Sequence, residues 1–127
     1  MGLEINVLKK ESDGLVIISL RGSLDTENHQ SFRDRADKEL MKKPKGLVLD
    51  LEFLEYISSM GISAILGLNR NAVANGTKFM MSNIPESIDQ IFKIVKALPP
   101  NIQMFESMEE ADQYFLGIQK KIKDQGQ

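Results

Sequence analysis

Leu47-Val-Leu-Asp-Leu-Glu-Phe-Leu-Glu-Tyr-Ile-Ser-Ser-Met-Gly-Ile-Ser-Ala-Ile-Leu66 begins as one kind of element and ends as another. Leu47–Leu51 carries apolar residues on both sides, as in a strand covered on two faces. From Ser58 or Ser59 onward, Ile62, Ile65, Leu66, Ala72 and Val73 supply the inward side of a helix. Asn75-Gly76 closes that helix with a residue that accepts positive φ. Residues 52–57 are expected to be the connection between the two. A covered strand feeding a helix is the repeating unit of an α/β fold.

The same alternation extends in both directions. Upstream, Leu3, Ile5 and Val7 alternate with Glu4, Asn6 and Leu8, the period of a half-buried strand. Ser12-Asp13-Gly14 turns the chain into Leu15-Val-Ile-Ile-Ser-Leu20, so an antiparallel hairpin opens the fold. Phe32, Ala36 and Leu40 then mark a surface helix over roughly 27–41, with Asp25 or Thr26 as its cap and Lys42–Gly46 as its stop. Downstream, Lys78–Ser82 predicts a fourth strand. A third helix follows, capped by Asn83 and Pro85 and buried through Ile88, Ile91, Phe92 and Val95. Pro99-Pro100 predicts an extended turn, Ile102–Phe105 a fifth strand, and Ser107-Met-Glu-Glu110 the capping box of a last helix. Ala111, Tyr114, Phe115, Ile118 and Ile122 form the apolar stripe of that helix, and Lys123–Gln127 a polar tail that frays. The expectation is a single α/β domain over 1–127, with its core about 3–119. It has a mixed, mostly parallel five-stranded sheet and four helices.

The composition narrows the function. The 127 residues include no Cys, which excludes disulfide scaffolds, thiol nucleophiles and thiolate metal sites. Sixteen basic and eighteen acidic residues nearly balance, which argues against nucleic-acid or membrane-surface binding by bulk charge. No apolar run reaches the length of a membrane span, and the N-terminus lacks a secretion signal, so a cytoplasmic protein is expected.

Catalytic readings find little to work with. His29 is the one histidine, and a Ser59–His29–Asp25 set lacks the sequence of a nucleophile elbow. There is no Gly-Lys-Ser/Thr phosphate loop, and carboxylates alone would have to hold a metal. Asp50 sits where a receiver domain carries its phospho-accepting aspartate. The acidic pair such a receiver needs is replaced by Arg21-Gly22-Ser23-Leu24, and its late lysine is missing from Phe105-Glu106-Ser107. No catalytic residue, metal or cofactor is expected. What remains is a pair of serines at a helix start followed by Gly61. One serine serves as the N-cap, and a phosphoserine at a helix N-terminus would be held by unpaired N–H groups and a partial positive charge. Gly61 would keep that turn clear for a partner.

Three motifs in order carry a resemblance. Arg21-Gly22-Ser23-Leu24-Asp25 follows a strand. Leu49-Asp50-Leu51 leads through a short connection to Tyr56-Ile57-Ser58-Ser59-Met60-Gly61-Ile62. Phe105-Glu106-Ser107-Met108-Glu109-Glu110-Ala111 opens the last helix. Together they resemble the STAS domain of bacterial anti-sigma factor antagonists over about residues 3–119. The resemblance implies a non-enzymatic binding module of a partner-switching system, with Ser59 as the phosphorylated serine and Ser58 as the second choice. It implies binding to a GHKL-type anti-sigma factor that is also a serine kinase, release on phosphorylation, and restoration by a PP2C-type phosphatase. Ser58 stands where the family often has Asp, and Met60 where a small residue is usual. The expected contact face combines Gly22, Ser23, Leu24 and Asp25 with Ser58, Met60 and Gly61 and with the small outward residues Ser63, Gly67 and Asn71. The alternative is a STAS domain that is never phosphorylated and acts as a ligand sensor or scaffold. The oligomeric state stays open.

Overall fold

Alternating Leu3, Ile5 and Val7 build a strand with one wet face: β1, Leu3–Lys10, turns these three toward the core and leaves Glu4, Asn6 and Leu8 exposed. A computed structural model of the chain describes residues 2–95 and 102–125, apart from the side chains of 95, 119 and 122–125. A short 3-10 turn at Glu11–Asp13 and Gly14 at φ 69° return the chain into β2, Leu15–Leu24, antiparallel to β1. Thereafter strand and helix alternate: α1 (His29–Met41), β3 (Gly46–Ile57), α2 (Ser59–Ala74), β4 (Lys78–Ser82), α3 (Glu86–Val95), β5 (Gln103–Phe105) and α4 (Met108–Gln125). The sheet has the order β1-β2-β3-β4-β5, with β2 to β5 mutually parallel. This is the mixed, mostly parallel five-stranded α/β fold with four helices that the sequence predicts.

The strand order decides the layers. Right-handed crossovers that always step the same way across a sheet lay their helices on the same face. Phe32, Leu40, Ile65, Leu68, Ile88 and Phe92 of α1, α2 and α3 accordingly share one core with Val16, Ile18, Leu47, Leu49, Phe79 and Met81. The alternate strand residues Leu15, Ile17, Val48 and Met80 meet Ala111 and Phe115 of α4 in a smaller core on the other face. Covered on both sides, β2 and β3 need the continuous apolar runs they have. Burial of one such leucine or isoleucine contributes about 1.5–3 kcal/mol.

Several boundaries differ from expectation for identifiable reasons. Residues 52–57 are strand, not connection. β3 continues to Ile57 beside β2, through register shifts between the Ser19/Asp50 and Arg21/Phe53 pairs and between the Gly22/Leu54 and Ser23/Tyr56 pairs. Those bulges break the alternation that would have announced a strand. β2 likewise runs on to Leu24. α1 starts at His29, because Asp25 and Asn28 close a turn ahead of it: Asp25 Oδ1 accepts from Glu27 N, and Asn28 Oδ1 from Asp25 N. Val73 is 60% exposed, outside the inward stripe of α2. Asn83 does not cap α3. It adopts φ 54° and its Nδ2 donates to Asp50 Oδ1, while the Pro85 carbonyl accepts from Ile88 and Asp89. Half of the capping box forms: Ser107 Oγ accepts from Glu110 N, while the Glu110 carboxylate accepts from Glu106 N, one residue ahead of the cap. The backbone of α4 continues through Gln125, into the segment expected to be tail. Pro99-Pro100 and the side chains of Val95 and Ile122 lie outside the described residues.

Candidate functional site at the start of the second helix

The end of β3 delivers the two serines. Ile57 pairs with Leu24, and Ser58 N donates to the Leu24 carbonyl at 2.9 Å, so the strand is still hydrogen-bonded where the helix begins. Ser58 is extended, at φ −92° and ψ 173°, and is the N-cap: its Oγ accepts from Gly61 N at 3.2 Å and its carbonyl from Ile62 N. Ser59 is therefore the first residue of α2, and it is exposed. Its hydroxyl stands at the positive end of a 16-residue helix whose first turn carries no acidic side chain. Of two adjacent hydroxyls, one is used by the fold and the other faces solvent.

Gly61 has a different role from the expected one. A Cβ there would lie 2.6 Å from the Leu24 carbonyl oxygen and 2.8 Å from Ile57, so its bareness lets α2 start hard against the end of β2. The space it frees is filled by the protein itself, not left open for a partner. Gly22, at φ 108°, is equally constrained: a Cβ would meet the Gly2 carbonyl oxygen at 2.3 Å.

The remaining expected contact residues separate into two groups. Met60, 40% exposed, and Ser63 lie on the surface with Ser59, and Ser58 and Asp25 are half-buried. Ser23 and Leu24 are fully buried. Gly67 and Asn71 do not face outward. Gly67 lies under the Arg33 guanidinium, and Asn71 Nδ2 donates to Asp37 Oδ1 at 2.8 Å, so both serve the packing of α2 on α1. His29 is half-buried at the start of α1. Asp50 is held in the chain's own hydrogen bonds, accepting from Asn83 Nδ2 and Glu52 N. Among the described residues no group of three or more His, Cys, Asp or Glu is placed to hold a metal ion, and no helix is long and apolar enough to cross a membrane.

Two exposed aromatics were not singled out as contact residues. Phe53 and Tyr56 are 49% and 47% exposed on the last turns of β3, and the Arg21 guanidinium lies 4.3 Å from the centre of the Phe53 ring. Only the strand register reveals them, because it pairs Arg21 with Phe53 and Ser23 with Tyr56. Exposed Glu52 and Glu55 flank them.

Comparison with known proteins agrees with this fold. The sequence model of the STAS domain matches residues 6–111, and the chain belongs to that family. An anti-sigma factor antagonist from Mycobacterium paratuberculosis superposes with a TM-score of 0.75 at 15% identity, over 90% of this chain and 94% of that one. A serine-to-glutamate variant of RsbS from Moorella thermoacetica superposes with a TM-score of 0.77 at 16% identity, over 92% and 98%. The phosphorylated form of the Bacillus cell fate determinant SpoIIAA superposes with a TM-score of 0.68 at 20% identity, over 87% and 98%. At these identities the likeness is one of fold.

Proposed function

We propose that this chain is a cytoplasmic regulatory binding module with no catalysis of its own, an anti-sigma factor antagonist controlled by phosphorylation of Ser59. Unmodified, it binds a GHKL-type anti-sigma factor that is also its serine kinase. Phosphorylation releases that partner, and a PP2C-type phosphatase restores binding. The observation that carries this reading is the exposure of the Ser59 hydroxyl at the first position of α2, next to a Ser58 already committed to capping. A kinase can reach such a hydroxyl, and the helix end stabilises the added charge within this protein. The same charge, about −2 at neutral pH, disrupts any apolar contact formed over it. On this reading the partner meets Ser59, Met60 and Ser63 together with Tyr56 and Phe53, all exposed. Ser58 is the weaker acceptor, because phosphorylating it would take its Oγ out of the cap.

The test uses the GHKL-type serine kinases of the same organism with radiolabelled ATP, and a binding measurement on two variants. Label is expected on Ser59 and absent from Ser59→Ala. Ser59→Asp is expected to lose the kinase while Ser59→Ala keeps it. Equal binding by the two variants, or acid-labile label on Asp50, overturns the proposal.

A further inference from the structure

At the opposite end of β3 from Ser59, the C-terminal end of β1, the N-terminal end of β2, the C-terminal end of α1 and the loop after α1 enclose a depression of about 320 Å³. Lys9, Lys42, Lys43 and Lys45 line it, with Glu11 and Glu39. Four ammoniums against two carboxylates leave an excess of two positive charges, in a chain whose net charge is −2. The grouping is built rather than scattered. Glu39 is a carboxylate with only 8% of its side chain exposed, and it draws two of the cations together from different elements. Lys9 Nζ of β1 lies 3.4 Å from Oε2, and Lys42 Nζ lies 3.5 Å from Oε1.

Lys43 adds a second observation. It follows the helix end in the left-handed region, φ 53°, with its N–H on the Leu40 carbonyl, where glycine or asparagine is the ordinary choice. A lysine there strains the backbone, and Lys43 lines the depression. One cation would suffice to balance the negative end of α1. Three lysines at 42, 43 and 45 plus Lys9 exceed that need.

We propose that this depression binds the dianionic phosphate group of a small soluble phosphomonoester or diphosphate, with the Lys43 and Lys45 ammoniums as direct ligands and Glu39 positioning Lys9 and Lys42. β3 has twelve residues, so this site and Ser59 are roughly 30–40 Å apart, and both can be occupied at once. The inference stands apart from the phosphorylation of Ser59.

The experiment titrates inorganic pyrophosphate and inorganic phosphate into the intact isotope-labelled chain and follows backbone amides by NMR. Saturable shifts are expected at Gly14 and at Lys42–Gly46, with Ser58–Ile62 unmoved, and the affinity should fall as salt is raised. The Lys43→Gln, Lys45→Gln double variant alters two exposed side chains and should weaken binding at least about fivefold with an unchanged melting temperature. Lys43→Gly should raise the melting temperature by relieving the backbone and still weaken binding. Absence of saturable shifts at millimolar pyrophosphate overturns the proposal, as does equal affinity of Lys43→Gly and the unaltered chain. Co-sedimentation with phosphatidylglycerol vesicles that pyrophosphate does not compete away also overturns it, since that is diffuse attraction to a lipid surface.

Discussion

Ser58 and Ser59 differ by one position along the chain and by everything in their surroundings. The Ser58 hydroxyl accepts the Gly61 amide, so Ser58→Ala should lower stability by about 0.5–2 kcal/mol in urea unfolding. Ser59→Ala removes an exposed hydroxyl and should stay within about 0.5 kcal/mol of the parent. Ser59→Asp adds an anion at a helix N-terminus and should raise stability by about 0.3–1 kcal/mol at low salt, an increment that disappears as salt is added. These opposed signs separate the physical effect of charge on the fold from its effect on a partner. Gly61→Ala presses a methyl group onto backbone and should cost about 1–3 kcal/mol by the same measurement, although alanine is the better helix former.

At the scale of elements, β3 makes the site by being longer than its apolar run. β4 accompanies it only as far as the Asp50–Ser82 pair, so Leu51–Ile57 lies against β2 alone and carries Phe53 and Tyr56 at the surface. Helix α2 is held at its start by the Leu24 carbonyl and along its length by α1. Arg33 pairs with Asp37 at 3.3 Å, and Asp37 accepts from Asn71 at 2.8 Å, half-buried between the two helices. Asn71→Ala should therefore cost about 1–2 kcal/mol. A double-mutant cycle with Asp37→Ala should show a coupling well above the few tenths of a kcal/mol of independent sites. A solvent-facing Asn71, as the bare helical spacing suggested, would give no coupling.

The whole molecule is two layers of unequal depth on one sheet. Among the described residues, the larger core joins α1, α2 and α3 to the sheet, whereas α4 meets it through Ala111 and Phe115, with Met108 and Tyr114 partly buried beside them, and through an ion pair between Lys10 and Asp112. Local opening follows the layer with the least buried apolar contact. Amides of α4 should exchange with deuterium well before those of Leu47–Leu51, where both faces are covered, and Phe115→Ala should speed α4 exchange more than exchange in α1. Simultaneous exchange of α4 and β3 would mean that the two layers open as one unit.

The order of elements, the mixed α/β class and the position of the serine pair were all legible in the amino-acid sequence. Apolar period is a local property: Ile17 and Ile18, or Ile62 and Ile65, declare strand and helix whatever surrounds them. Capping chemistry is local too, so Ser107 and Glu110 announce the start of the last helix. Which of Ser58 and Ser59 is the cap was not local, because it depends on where the Leu24 carbonyl stops the strand. The assignment of Gly67 and Asn71 to the α1 contact, the exposure of Phe53 beside Arg21, and the gathering of Lys9 with Lys42, Lys43 and Lys45 were decided only by tertiary structure. Each joins residues from separate elements, and their proximity is set by strand order and register, which a single chain of letters does not encode position by position.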